Sequence, residues 1–239
     1  MRIDVVRVVT YNIRHGRGQD DTVSLARTAA VLRRLAPDLV GLQEVDDRVR
    51  RSGGVAEAES LGTALGAQAA FDAFMDYQGG RYGLAILSRH PVAATRSIPL
   101  PTGNEPRVAL LVETVLPRGD TIAVITVHFD WVDADSFRFA QASALAAVLD
   151  TLRRPWVLLG DFNDLPESRT LALFRARALE ARKPEDARLT FPSDEPDREI
   201  DYVFVAPAAR WRVRAVSVID ERVASDHRPV LAVLELLGR

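Results

Sequence analysis

The sequence predicts an α/β protein in which two mixed β-sheets pack face to face, with helices on the outside. Three observations predict it. Short apolar, β-branched runs recur along all 239 residues and outnumber the segments with helical periodicity. Many of these runs are joined by connections too short to hold a crossover helix, which argues against a purely parallel sheet. Such a chain buries its sheets most simply by stacking them and covering the outer faces with a few amphipathic helices.

In chain order, residues 5–9 read as the first strand. Thr22 is placed to cap a helix running to about Leu35, with Leu25, Ala29 and Leu32 on one face and Pro37-Asp38 as its stop. A strand comes next at 39–42, then a weaker helical pattern at 56–65 and strands at 85–87, 108–115 and 122–127. A second helix is expected from about Asp135 to Leu152, where Phe139, Ala142, Leu145, Ala146 and Leu149 recur at helical spacing. The strand at 156–159 precedes a short helical pattern at 168–173. The polar stretch 183–199, rich in Pro and Asp, reads as a long loop, and strands return at 202–205, 213–219 and 230–234. No internal repeat or low-complexity linker divides the chain, so one domain over residues 1–239 is expected.

Composition narrows the chemistry. There is no cysteine, so thiolate and disulfide chemistry are excluded and any metal must be held by oxygen and nitrogen. Lys and Arg number 31 against 33 Asp and Glu, for a formal charge of −2. A long nucleic acid is therefore a less favoured partner, because duplex binders carry a clear basic excess. No apolar run is long enough to cross a bilayer. The strand-like run begins directly after Met1-Arg2-Ile3-Asp4, leaving no room for a secretory leader, and a cytoplasmic location is expected.

The ends of the apolar runs are more informative than the runs themselves. Four runs end in Asn12, Glu44, His128 and Gly160-Asp161-Phe162-Asn163, whereas two later runs are preceded by Asp201 and by Asp226-His227. If the last two strands run antiparallel to the others, all six ends meet at one edge. Taken singly, each residue has a bland reading. Asn12 suits a turn, Glu44 a solvated loop, Asp161–Asn163 an Asx-rich turn, Asp201 a strand edge, Asp226 a cap and His128 a satisfied core position. His15, a loop residue beside Gly16, and His90, before Pro91 in a turn, carry only a bland reading. Together the strand ends form the oxygen-rich set that Mg2+ or Mn2+ requires beside a phosphate.

These residues lie within motifs that appear in a fixed order: Thr10-Tyr11-Asn12-Ile13, Leu42-Gln43-Glu44-Val45, Gly83-Leu84-Ala85-Ile86-Leu87-Ser88-Arg89, Glu105-Pro106-Arg107, Thr126-Val127-His128, Gly160-Asp161-Phe162-Asn163, Ile200-Asp201-Tyr202-Val203-Phe204 and Ser225-Asp226-His227-Arg228-Pro229. From about Val8 to Val233 the chain resembles the endonuclease/exonuclease/phosphatase (DNase I-like) superfamily. Arg14-His15-Gly16, Arg51-Ser52-Gly53, residues 78–83 and Thr190-Phe191-Pro192 look like its compact bacterial members.

The resemblance implies a four-layer α/β/β/α sandwich and hydrolysis of phosphomonoesters or phosphodiesters with a divalent metal, usually Mg2+, with Mn2+ as a substitute. It implies that Glu44 binds the metal, with Asn12 and Asp226 beside it. Asp161 becomes the general base or the group orienting the attacking water, and Asn163 holds phosphate or water. Asp201 and His227 form a dyad, and the base is either Asp161 or that dyad. His128 contacts the phosphate or protonates the leaving oxygen, and Arg107 clamps the phosphate with its planar fork. The implied substrate is a small-molecule ester or a lipid head group. The alternatives are a nuclease using Arg48, Arg50, Arg51 and Arg81, or a catalytically silent binding scaffold. Trp131 and Phe137, expected in the loop after His128, either touch substrate or pack under the next helix.

Overall fold

The computed structural model of the protein describes residues 4–238. Residues 1–3, on which the expectation of no leader rested, lie outside the described residues. Along the chain run β1 (Asp4–Asn12), α1 (Leu25–Leu35), β2 (Leu39–Asp47), α2 (Glu57–Leu65), β3 (Gln68–Tyr77), β4 (Gly80–Ser88), β5 (Val92–Pro99), β6 (Val108–Val115) and β7 (Thr121–His128). Then come α3 (Ser136–Leu149), β8 (Trp156–Asp161), α4 (Arg169–Arg175), β9 (Leu179–Glu180), β10 (Asp201–Ala206), β11 (Trp211–Val218) and β12 (Val230–Leu236).

The strands form two six-stranded mixed sheets, ordered β11-β12-β1-β2-β4-β3 and β5-β6-β7-β8-β10-β9. Alternation along the strands divides the apolar residues among three cores. Val6, Val8, Leu84 and Ile86 of the first sheet meet Leu110, Val124, Leu159 and Val203 of the second. The opposite face of the first sheet packs Val9, Tyr11 and Leu42 under Leu32 of α1 and Leu61 of α2. The outer face of the second sheet packs Ile125, Leu158 and Phe204 under Leu145 of α3 and Phe174 of α4. The result is the expected four-layer α/β/β/α sandwich.

Register decides where the functional strand ends fall. β1 and β2 run parallel with Asn12 opposite Gln43, and β7 and β8 run parallel with His128 opposite Asp161. β10 runs antiparallel to β8 with Asp201 opposite Asp161, and β12 runs antiparallel to β1. The condition set by the sequence is met: His128, Asp161 and Asp201 form one row across the second sheet, at the same end as Asn12. Gly160 is required in this row, because a Cβ there would lie 2.2 Å from the carbonyl oxygen of Val127 on β7.

Several local expectations are corrected. Ser24, not Thr22, caps α1, its side chain accepting from the Arg27 amide. Phe137 sits in the first turn of α3 rather than in the preceding loop, and both it and Trp131 are exposed instead of packing under the helix. His15 lies in the loop after β1 as expected, and there it is buried in a tight turn at Arg14–Gly16. Strands β3, β5 and β9 have no counterpart in the sequence reading. Each is a sheet edge, and β5 is exposed over most of its length, so little apolar alternation marks it.

One buried carboxyl gives a stability test. Glu57, at the start of α2, accepts a hydrogen bond from the Asp46 amide but is almost fully buried. Burial, followed by the nearby Asp46 carboxylate, pushes its pKa from 4.5 up to about 8. The folded protein therefore holds this proton more tightly than the unfolded chain does. Its contribution is fully present at acid pH and is lost as pH rises from the unfolded value through about 8. Glu57→Gln keeps an acceptor and removes the charge. Thermal melts should coincide near acid pH and separate at alkaline pH, with the variant more stable by a few kcal/mol. Melts that stay parallel across pH would show that Glu57 is not the group responsible.

Candidate active site

The polar strand ends meet in a cleft of about 300 Å3 at one end of the sandwich. Glu44, Arg107, His128, Asp161, Asn163, Asp226 and His227 line it, and Asn12 and Asp201 lie just beneath, so all nine residues expected from the sequence are brought together.

Glu44 reaches the cleft through a break in β2. Leu42 points to the helix side and Gln43 between the sheets, where its Nε2 donates to Thr126 Oγ1 at 2.8 Å. Simple alternation would return Glu44 to the helix side. A bulge between Leu42 and Val45 and a left-handed backbone at Glu44 (φ 57°) redirect it. Asn163 is also left-handed (φ 49°). Asparagine tolerates this region, whereas glutamate is strained there, and such strain gathers at functional sites.

Asp161 is the hub. Its Oδ2 receives Asn12 Nδ2 at 3.1 Å and faces His128 Nε2 and His227 Nε2, each at 3.5 Å. Its Oδ1 accepts the Asn163 amide at 2.9 Å. Burial pushes the Asp161 pKa up to about 7, with Asp201 adding to the push and His227 opposing it. His227 Nδ1 lies 3.0 Å from Asp201 Oδ2. Burial alone would lower the His227 pKa, but Asp201 and Asp161 outweigh it and raise the imidazole to about 10. His227 is thus a cation held between two carboxylates.

His128 is its opposite. Burial, then the charges of Arg107 and His227, push its pKa far down, so the ring is neutral. Arg107 Nη1 stands 3.5 Å from Nδ1. Because arginine can only donate, Nδ1 must accept and the proton resides on Nε2, facing Asp161. Arg107 itself is buried, pairs with Glu105 at 2.9 Å and lies over the Phe74 ring; its Nε has no partner among the described residues.

Asn12 and Glu44 form the third group. Asn12 Nδ2 also donates to Glu44 Oε1 at 3.1 Å, while Asn12 Oδ1 accepts from the Arg14 amide. Burial, then the charge of Asp226, raises the Glu44 pKa, although the residue stays partly open to the cleft, which tempers that push. Asp226 is ion-paired with Arg14 at 3.4 Å. Glu44 and Asp226, two carboxylates that repel each other, are oxygen donors that suit Mg2+ or Mn2+, while Asn12 turns its Nδ2 to Glu44 and its oxygen to the Arg14 amide. Asp161, Asp201 and His227 also offer ligand atoms within 4.8 Å of one another. There, however, Nδ1 is engaged with Asp201, and the geometry is that of a hydrogen-bonded relay rather than of a metal cage.

Tyr82, Glu105, Trp131 and Phe191 also line the cleft but carried no assigned role in the sequence reading, apart from the alternative of substrate contact for Trp131. Phe191 packs on His227 with ring centroids 4.8 Å apart. Glu105 and Phe191 stand inside recognised motifs, so their motif position was the available signal. Tyr82 stands inside the 78–83 segment, so it carried the same signal, whereas Trp131 had no distinguishing neighbour in the sequence.

Comparison with known proteins agrees with this architecture. The sequence profile of the Endonuclease/Exonuclease/phosphatase family matches residues 9–227. An uncharacterized Escherichia coli protein, YbhP, is 28% identical over 246 residues, covering 96% of each chain. The crystal structure of an endonuclease/exonuclease/phosphatase from Beutenbergia cavernae superposes with a TM-score of 0.78 at 25% identity, over 98% of this chain and 72% of that one. A mannosyl-6-phosphatase from Bacteroides thetaiotaomicron shares the fold with a TM-score of 0.78 at 18% identity, over 96% of this chain and 99% of its own.

Proposed function

The chain belongs to the endonuclease/exonuclease/phosphatase family, and we propose accordingly that it is a divalent-metal-dependent phosphoesterase. It hydrolyses a phosphomonoester or phosphodiester of a small molecule or lipid head group by in-line attack of water. The observation that carries this reading is the convergence of Asn12, His128 and His227 on one buried oxygen of Asp161.

In this reading Glu44, Asn12 and Asp226 would hold the ion, which when bound would supply Lewis-acid stabilisation of charge on the phosphate oxygens. Asp161, with a pKa near neutrality, takes the proton of the attacking water. Asn163, fixed by its own amide on Asp161 and by its side chain on the Phe129 carbonyl at 3.0 Å, orients water or phosphate. The His227 cation, held by Asp201, stabilises charge that builds on the non-bridging oxygens. His128, neutral with its Nε2 proton turned to Asp161, lines the cleft as a phosphate contact through its ring, and the low pKa disfavours it as the acid for the leaving oxygen. Arg107 adds a fixed positive charge.

The test is a panel of phosphomonoesters and phosphodiesters with Mg2+, Mn2+ or Ca2+. Wild type should hydrolyse at least one ester, lose activity in EDTA, and be slowed about 10²–10³-fold by Asn163→Ala. An unaffected Asn163→Ala, or no turnover of any ester, would overturn the proposal.

A second reading, nuclease action, is favoured by one observation. Arg48 and Arg81 are more than half exposed, share the single carboxylate of Asp47, and line a cavity of about 580 Å3 with Tyr77 and Gln78. Plasmid nicking that weakens steeply with salt would support this reading, since phosphate contacts release counterions. The scaffold alternative predicts no turnover at all.

A further inference from the structure

The floor of the cleft is polar and charged, but its rim carries an indole. Trp131 lines the cleft and is 58% exposed, whereas Trp156 and Trp211 are buried. An exposed tryptophan on a mobile loop would mean little, but the loop here is fixed on both sides of it. Before Trp131, the Asp130 amide donates to Gln141 Oε1 at 2.9 Å, and the buried Asp130 carboxylate accepts from the amides of Val132 and Asn104. The guanidinium of Arg138, itself buried at the start of α3, donates to the carbonyls of Asp130, Val132 and Asp133. Phe129, at the base of the loop, donates to the Asp161 carbonyl and accepts from Asn163 Nδ2. The chain thus commits a buried Asp and a buried Arg to holding an apolar side chain in water, at a set position from the hub residues. Stability does not call for this; a preorganised contact does.

We propose that Trp131 is the platform for the organic part of the substrate, and that the substrate is a phosphate ester whose alcohol carries a ring with a flat apolar face. The indole stacks on that face while the polar floor holds the phosphate. The arrangement suits a sugar ring or an aromatic ring and gives nothing to a simple alkyl group. This inference rests on the phosphoesterase reading and adds the substrate class to it. Trp131 is a specificity-determining residue here and takes no part in bond making.

The test uses inert phosphonates with Mg2+ present: methylphosphonate, phenylphosphonate and a glucose 6-phosphonate. Binding is followed by the emission of Trp131 and, for the variants, by calorimetry. Wild type should bind at least one ring phosphonate about tenfold tighter than methylphosphonate, the size of one good stacking contact. That ligand should also shift the indole emission to the blue. The phenyl and glucosyl arms show whether the ring is aromatic or a sugar. Trp131→Ala should reduce the preference to within about twofold and leave methylphosphonate binding unchanged, and Trp131→Phe should restore much of it. Because Trp131 is exposed, its truncation costs little stability, which a melt will check. Methylphosphonate binding with no ring preference, or a preference that survives Trp131→Ala, overturns this inference alone. Failure of all three phosphonates to bind overturns the phosphoesterase reading and this inference with it.

Discussion

Glu44→Gln is expected to reduce kcat/KM by about 10³-fold or more, while leaving a folded protein that no longer responds to Mg2+. Charge is the reason. Glu44 sits beside the Asp226 carboxylate, and its pKa is raised by burial and by that neighbour, so in the absence of a cation its ionised form is disfavoured. Removing the charge should therefore not harm the metal-free fold and should modestly stabilise it at neutral pH. Adding Mg2+ should reverse the comparison. Wild type gains stability by mass action, about 2.7 kcal/mol at a hundredfold excess over Kd, and the variant gains little. Thermal melts with and without Mg2+ read this directly, apart from any activity. A variant that keeps the wild-type metal response would remove Glu44 from the ion site.

The second large effect is expected at the Asp201–His227 dyad. His227→Ala should lower kcat by about 10²–10⁴-fold, the range for a positioned charged or acid–base group. Asp201→Ala should cost a similar amount, because the 3.0 Å contact is what orients the ring and keeps it cationic in a buried place. The double variant should be little worse than the poorer single one, since the two side chains act as a unit. Costs that multiply in the double variant would mean that Asp201 and His227 serve independent purposes.

How much of this was legible in the sequence depends on how each residue reaches the cleft. Asn12, His128, Asp161 and Asp201 were readable as one set because each ends or begins an apolar strand, and register brings such positions together; His227 stands three residues before β12 and meets them through Asp201. Glu44 was readable as a strand-end residue, but its route was not. The bulge and left-handed backbone that aim it leave no mark in Leu42-Gln43-Glu44-Val45. Arg14 and His15 are likewise left-handed without glycine or asparagine at either position, so the turn that presents the Arg14 amide to Asn12 leaves no local mark in the sequence. Strands β3 and β5 escaped notice because an edge strand buries little, and burial is what writes alternation into a sequence. Trp131 shows the same limit from the other side. Its placement rests on the Asp130 amide donating to Gln141, the Asp130 carboxylate accepting from Val132 and Arg138 donating to loop carbonyls, and local pattern carries no trace of that scaffold.

If ion and phosphate ester meet in one cleft at the strand ends, Mn2+ added to the protein must relax the 31P signal of methylphosphonate. Wild type should show strong paramagnetic enhancement, displaced by excess Mg2+ and lost in Glu44→Gln. Enhancement that persists undiminished in Glu44→Gln, or phosphonate that binds without sensing Mn2+, would contradict a shared site for the two.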